Sequence, residues 1–469
     1  MHTSTTSTVP LVSWTAAQLL EATQGYWLND QAPNTEIKRI LTDSRDAEAG
    51  DAFLALKGER FDAHAFITQV AEQGCQMAIV SQAIDAEICQ LVVPDTRLAL
   101  GQLGAYRRAQ NPQLKVIALT GSSGKTTTKE MLGSILSRIA PTLVTRGNLN
   151  NDLGVPVMLL ELRPEHQYAV MELGASHQGE IDYTSNLVQP LVAGIINIGT
   201  AHLGEFGGRD GICRAKSEIY AHIAPNGTSI VPAADDFADS IRQAVQTEQV
   251  LSFGAGGEIF ATEIELQAQS ATFKLNTPQG VRQVNLPFAG EHNVQNATAA
   301  AAFALAIGIS LDDIVIGLEQ AVGAKGRLNF IQQGHHLLID DTYNANPTSM
   351  RAAAEVLAQQ EGVRVMVMGD IGELGSSAAQ QHYMLGRDLV SVKGLNFVVA
   401  VGEFAPAAQE GARSTQYGKK MQAFLTQEQA LPFLLSLIET HQPQSMSFLF
   451  KGSRYTHMET LMADLMEKL

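Results

Sequence analysis

The run Thr120-Gly-Ser-Ser-Gly-Lys-Thr-Thr-Thr128 follows the apolar stretch Lys115-Val-Ile-Ala-Leu119 and precedes the amphipathic stretch Lys129 to Arg138. This order predicts a strand, a phosphate-binding turn and a helix. Gly121 and Gly124 let backbone N–H groups approach phosphate oxygens without a Cβ in the way, and the helix N-terminus adds the positive end of its dipole. The Lys125 ammonium can reach β- and γ-phosphates, and the Thr126 hydroxyl can serve Mg²⁺. Thr120, Ser122, Ser123 and Thr127 complete the expected nucleotide contact. Leu119 stands five positions before Gly124, so the loop is Thr-Gly-x-x-Gly-Lys-Thr and departs from the full Gly-x-x-x-x-Gly-Lys-Ser/Thr pattern. A Gly/Ser-rich turn that happens to hold a lysine is the competing reading.

Three further residues are candidates beside a bound nucleotide. Glu172 closes the apolar run from Tyr168 and precedes a glycine, which suits a Mg²⁺ ligand or a solvated strand-end carboxylate. His202 lies just beyond the run Val192 to Ile198, where a metal role and a structural role are both open. Lys216, in Cys213-Arg-Ala-Lys-Ser-Glu-Ile219, reads by pattern alone as a surface helix lysine.

The elements that must position these groups span 469 residues, enough for about three domains. Residues 1–97 carry short apolar runs (52–56, 77–80 and 91–93) and are expected to form a small α/β domain. Residues 98–325 hold strands at 115–119, 168–173 and 192–198, a β-rich portion at 259–288 and an Ala-rich helix after Asn296, as a central P-loop domain. Residues 326–469 carry four apolar strands, 336–339, 363–368, 397–401 and 446–450, which imply a Rossmann-like doubly wound sheet.

With 32 basic against 48 acidic residues the net charge is −16, and no basic cluster argues for a nucleic-acid partner. Anionic ligands would be held locally. The Ala-rich stretch 297–309 is too short to span a bilayer, so no membrane insertion is expected. No targeting signal is visible, and three unpaired cysteines fit a reducing, cytoplasmic setting.

Taken with Glu172-Leu-Gly, Thr200-Ala-His-Leu-Gly, Ala215-Lys-Ser-Glu-Ile, Gly290-Glu-His-Asn-Val-Gln-Asn296, Gly326-Arg327 and Asp340-Asp-Thr-Tyr-Asn-Ala-Asn-Pro347, the phosphate loop resembles that of the Mur ligase family of ATP-dependent amide-bond-forming enzymes. The resemblance covers nearly the whole chain. Gly147-Asn-Leu-Asn-Asn151, Tyr343 to Met350 and Gly369-Asp-Ile-Gly-Glu-Leu-Gly375 are similar to the family member that adds D-alanyl-D-alanine to UDP-N-acetylmuramoyl-tripeptide. The Asp-Asn-Arg-Pro segment of the diaminopimelate-adding member is missing.

The resemblance implies a cytoplasmic, monomeric ligase using ATP and Mg²⁺. Lys125 would neutralise γ-phosphate charge, and Thr126 and Glu172 would hold one Mg²⁺. His202, with a carbamylated or otherwise positioned Lys216, would serve a second. Asn293 and Asn296 resemble the adenine-side segment, Arg327 the residue reaching the phosphates from the domain junction, and Asp341 the third domain's nucleotide contact. Asn148, Asn151, Tyr343, Asn344 and Asn346 fall on the substrate side. In the first domain Thr42-Asp-Ser-Arg45, Gly50-Asp-Ala-Phe53, Ala55-Leu-Lys-Gly58 and Asp62-Ala-His-Ala-Phe66 resemble the UDP-sugar module, with Ala63 in place of its usual glycine. This implies Ser44, Arg45, Lys57 and His64 as substrate contacts. Because these groups fall in three domains, Lys325-Gly-Arg327 is expected to act as a hinge.

The rivals are a sister ligase of the same fold, such as a folylpolyglutamate synthase or an earlier muramyl ligase, and a nucleotide-switched binding protein. The Gly-x-x-Gly-x-x-Gly spacing of 369–375 is not the dinucleotide fingerprint, so a dehydrogenase is disfavoured.

Overall fold

The structure is a computed structural model that describes residues 11–58, 61–200 and 203–469. The first sheet contains β1 (Tyr26–Trp27), β2 (Ile40–Leu41), β3 (Ala52–Leu54), β4 (Met77–Val80) and β5 (Cys89–Val92), in the order β1-β5-β4-β3-β2. Only β1 runs antiparallel. The apolar runs form its buried centre. The short pieces β1 and β2 at its edges gave no periodic signal.

The helix Thr96–Ala109 joins this sheet to the next. Leu100 and Leu103 pack into the first core, whereas Gly101 and Gly104 lie where a Cβ would meet Tyr183 and Pro156 of the second unit. The division at 97/98 therefore falls inside a helix that both units share.

The second sheet holds β6 (Lys115–Thr120), β7 (Thr142–Val144), β8 (Tyr168–Glu172), β9 (Val192–Ile195), β10 (Thr228–Pro232) and β11 (Gln249–Phe253). All are parallel, in the order β11-β10-β9-β6-β8-β7. The chain builds outward from β6 first to one side and then to the other. The C-terminal end of β6 is thus the switch point, where an open α/β sheet leaves a crevice for ligands.

An antiparallel sheet of β12 (Phe260–Leu266), β13 (Ala271–Thr277) and β14 (Gly280–Leu286) covers one side of this unit. Between the two sheets runs the helix Glu291–Ala306, with Ala299, Ala300, Ala301 and Ala302 all buried. Alanine suits a helix enclosed all round, because its small side chain admits close neighbours. The sequence placed this helix after Asn296. It begins earlier because Gly290, at φ +89°, turns the chain directly into it.

The third unit is a six-stranded sheet of β15 (Asn329–Gln333), β16 (His336–Asp340), β17 (Val363–Gly369), β18 (Phe397–Val401), β19 (Met421–Phe424) and β20 (Met446–Lys451). Its order is β15-β16-β20-β17-β18-β19, with β15 alone antiparallel. Four strands were expected. The two that were missed are the edge strands, whose half-exposed residues lack a continuous apolar run.

At the start of this unit Gly326 takes a left-handed φ of +73°, its carbonyl accepting from Tyr343 N at 3.1 Å. Contacts away from the strand ends also tie the unit to the second. At the far end of the helix Pro347–Ala358, the buried Gln360 donates Nε2 to the carbonyl of Ala268, in the turn between β12 and β13, at 2.6 Å. Among the described residues no helix is long and apolar enough to cross a membrane.

Candidate active site between the second and third domains

A cavity of about 1780 Å³ opens at the C-terminal ends of β6, β8, β9, β16 and β20. The phosphate loop forms its floor. Gly124 sits at φ +77°, with Asn296 Oδ1 where a Cβ would project. Lys125 Nζ donates to the Gly121 carbonyl at 2.8 Å, and burial lowers its pKa against the opposing pull of Glu172. Asn197 braces the loop: its Oδ1 accepts from Ser123 N and its Nδ2 donates to Ser123 O, both at 3.0 Å, while its carbonyl accepts from Ser122 N at 3.1 Å. These bonds also explain why β9 ends at Ile195 and not at Ile198, since the chain leaves the ladder to hold the loop.

Thr126 Oγ1 donates to Glu172 Oε2 at 3.1 Å, and Asn150 Nδ2 donates to Glu172 Oε1 at 2.7 Å. From the third domain, Arg327 Nη2 reaches Thr126 Oγ1 at 3.4 Å, with the guanidinium 4.6 Å from the centre of the Tyr343 ring. Ser122 Oγ and Arg327 Nε are buried without a hydrogen-bond partner. Both residues line the cavity, where a phosphate group would offer several acceptor oxygens.

Lys216, on the helix Arg209–Ser217, is 2% exposed and lines the same cavity, so it is not the surface residue its pattern suggested. Burial, then the neighbouring Lys125 ammonium, push its pKa well below the usual lysine range. His202 lies outside the described residues. Asn293 and Asn296 are buried in the first turns of the helix Glu291–Ala306; Asn296 Nδ2 donates to Asn293 Oδ1 at 3.0 Å and Asn293 Nδ2 to Ala289 O at 2.8 Å.

On the opposite wall the buried Asp341 pairs with Lys451, Oδ2 to Nζ 2.7 Å, and Lys451 also donates to Asn344 O at 3.0 Å. Burial draws both groups toward neutrality while their mutual attraction opposes it. Asn346 caps the helix Pro347–Ala358 by accepting from Ser349 N at 2.8 Å, and its Nδ2 donates to Ser122 O at 3.4 Å. Asn344 and Tyr343 line the cavity between these points, as Asn148 and Asn151 do from the second domain.

The first-domain residues are elsewhere. Ser44, Arg45, Lys57 and His64 do not line this cavity. Arg45 is paired with Asp43, and Lys57 Nζ lies 3.7 Å from Asp62 Oδ2. His64 is buried, its Nδ1 is 2.6 Å from Asp62 Oδ1, and its Nε2 accepts from Ser81 N at 2.9 Å, so that both ring nitrogens are engaged at the turn.

Sequence reasoning passed over Asn150, Asn197, Lys451 and Arg454, all of which line the cavity. The signal was available for the last two, because Lys451-Gly-Ser-Arg454 leaves the C-terminal end of an apolar strand just as Glu172 does.

Replacing Gly124 by alanine is expected to destabilise the protein by about 1–3 kcal/mol, through the overlap with Asn296 and the left-handed φ. ADP binding should weaken in parallel. Calorimetric melting and titration with ADP check this, and an unchanged Tm would mean that Asn296 yields without cost.

A phosphate loop at the switch point of a parallel sheet, met by an arginine from the following domain, defines a nucleotide-dependent group-transfer enzyme. Residues 36–118 match the model described as Mur ligase family, catalytic domain, residues 119–304 the Mur ligase middle domain, and residues 326–454 the Mur ligase, glutamate ligase domain. The chain belongs to the Mur ligase family. It is 41% identical to the UDP-N-acetylmuramoyl-tripeptide–D-alanyl-D-alanine ligase of Escherichia coli K12, over 97% of this chain and 99% of the relative. It matches a crystal structure of MurF from Acinetobacter baumannii with a TM-score of 0.95 and 76% identity, covering 98% of this chain and 100% of that one. A MurF ligase from Thermotoga maritima in complex with ADP matches at 0.79 and 25% identity, covering 92% and 97%.

Proposed function

We infer that this chain joins D-alanyl-D-alanine to UDP-N-acetylmuramoyl-tripeptide at the expense of ATP, in the cytoplasm. The observation that carries the reading is Arg327 of the third domain reaching Thr126 on the phosphate loop at 3.4 Å, so that two domains enclose one transfer site. The substrates follow from the full-length relatives that bear this activity in their names.

A carboxylate does not condense with an amine at neutral pH, so the γ-phosphoryl group is first transferred to the tripeptide's terminal carboxylate. ADP leaves. The dipeptide's amine nitrogen then attacks the acyl carbon; the C–N bond forms, the C–O bond to phosphate breaks, and phosphate departs with the electron pair while the amine gives up a proton. Lys125 and Arg327 would offset the charge that builds on the transferring group, as preorganised cations do in phosphoryl transfer. Thr126 and Glu172 offer adjacent hard oxygen donors that would hold Mg²⁺, which supplies charge neutralisation at the phosphates. Lys216 as a carbamate, with His202, would serve a second ion.

The test is ADP release from the purified protein with ATP, offered the diaminopimelate or lysine form of the UDP-tripeptide and a panel of amine acceptors. ADP formation that needs both the tripeptide and D-alanyl-D-alanine is expected. Turnover with an earlier muramyl or folate acceptor, or phosphate release indifferent to the dipeptide, would replace this reading with a sister ligase or a nucleotide-switched binding protein.

A further inference from the structure

The acceptor dipeptide carries two ionised ends, and only its amine reacts. Its carboxylate lies two residues away, about 7 Å along an extended chain. That anion must be held within a protein of net charge −16, which requires a local cation with donors to spare.

Among the described residues, the third-domain wall of the cavity carries three cations, Arg327, Lys451 and Arg454. Arg327 is turned to the phosphate loop, 3.4 Å from Thr126 Oγ1. Lys451 is 2% exposed and committed to Asp341 and the Asn344 carbonyl. Arg454 differs from both. Its side chain is 61% exposed, and its recorded partner is Glu459, which accepts from Nη1 at 2.8 Å. One edge of the guanidinium is therefore anchored, and the Nε/Nη2 edge remains open. Two parallel N–H groups at that edge match the two oxygens of a carboxylate.

The backbone places this fork firmly. Arg454 begins a short 3₁₀ turn, Arg454–Thr456, directly after β20, the strand between β16 and β17. Ser453 Oγ donates to Ala345 O at 3.5 Å and Lys451 to Asn344 O at 3.0 Å, while Asn346 reaches Ser122 of the phosphate loop at 3.4 Å. A chain of contacts thus fixes the backbone beside Arg454 relative to the phosphate loop, and Glu459 holds the guanidinium by one edge.

We propose that Arg454, buttressed by Glu459, binds the free carboxylate of the incoming dipeptide and makes the enzyme specific for acceptors with an ionised C-terminus. The proposal rests on the ligase reading above. A carboxylate of the nucleotide-linked peptide is the other possible source of the anion, and the kinetic arms separate the two.

Wild-type protein is assayed with D-alanyl-D-alanine and with its C-terminal amide, which keeps the amine and loses the charge. The acid should be preferred roughly 10- to 100-fold in kcat/KM, the range for loss of a charge-assisted pair. In Arg454→Ala the KM for the acid should rise by a similar factor, the preference should collapse toward one, and KM for ATP and for the UDP-tripeptide should hold. Arg454→Lys should restore part of the preference. Equal use of acid and amide by the wild type would overturn the proposal, and needs no variant to fold. So would an Arg454→Ala protein that keeps the preference, or one whose KM rises for the UDP-tripeptide instead. A wild type that makes ADP without any call for the dipeptide would sink the ligase reading itself, a different outcome from any of these.

Discussion

Lys125→Ala should lower the rate of ADP formation by about 10²–10³, the usual cost of deleting one preorganised charge contact from a transfer site. In this structure the Nζ is held 2.8 Å from the Gly121 carbonyl, four residues back, so the ammonium is placed before any phosphate arrives. Burial lowers its pKa and Glu172 opposes the shift, so part of the cost of confining the charge is offset by a carboxylate already beside it. Alanine removes the charge without removing core packing, and the melting transition should stay cooperative. Steady-state ADP release and a thermal melt on the same preparation check both halves. Near-normal turnover by a folded variant would rule out the phosphate-loop assignment.

A second large loss is expected at Lys216. Its amine is enclosed beside Lys125 and Glu172, where an ammonium would repel a divalent cation and a carbamate would supply anionic oxygens. A carbamate forms when the neutral amine adds CO₂ and releases a proton, so it needs nothing beyond dissolved carbon dioxide. Lys216→Ala should fall on the order of 10² in kcat. Acetate or propionate in solution should restore part of it by placing a carboxylate in the space left. Incubating the wild type with ¹³C-labelled CO₂ and recording its carbon spectrum provides a readout independent of turnover. Full activity in Lys216→Ala would mark it as a buried structural lysine.

The phosphate loop was legible because its chemistry sits in nine consecutive residues between a strand and a helix, and local sequence dictates such a turn. The sheets were legible where buried strands carry a continuous apolar run, as β6, β8, β17 and β20 do, whereas β10, equally buried, opens on Thr228-Ser229 and ends on Pro232 and was passed over. Edge strands such as β15 and β19 have one side open and lose the apolar run that would announce them. The site residues that escaped notice share a different cause. Asn197 acquires its role only when β9 lies beside β6, and Asn150 only when its loop meets the end of β8. His64 likewise meets Ser81 N only because the end of β4 lies beside its turn, a pairing its own motif does not announce. Burial likewise separated the two readings of Lys216, which the periodicity of its helix could not do.

The helix Pro347–Ala358 is tied to the second domain beyond both of its ends, by Asn346 to the Ser122 carbonyl and by Gln360 to the Ala268 carbonyl. The helix is therefore a spar laid across the seam between the two domains. A movement that carries the third domain away from the phosphate loop would have to give up the first of these bonds, and one that carries it off as a whole would have to give up both.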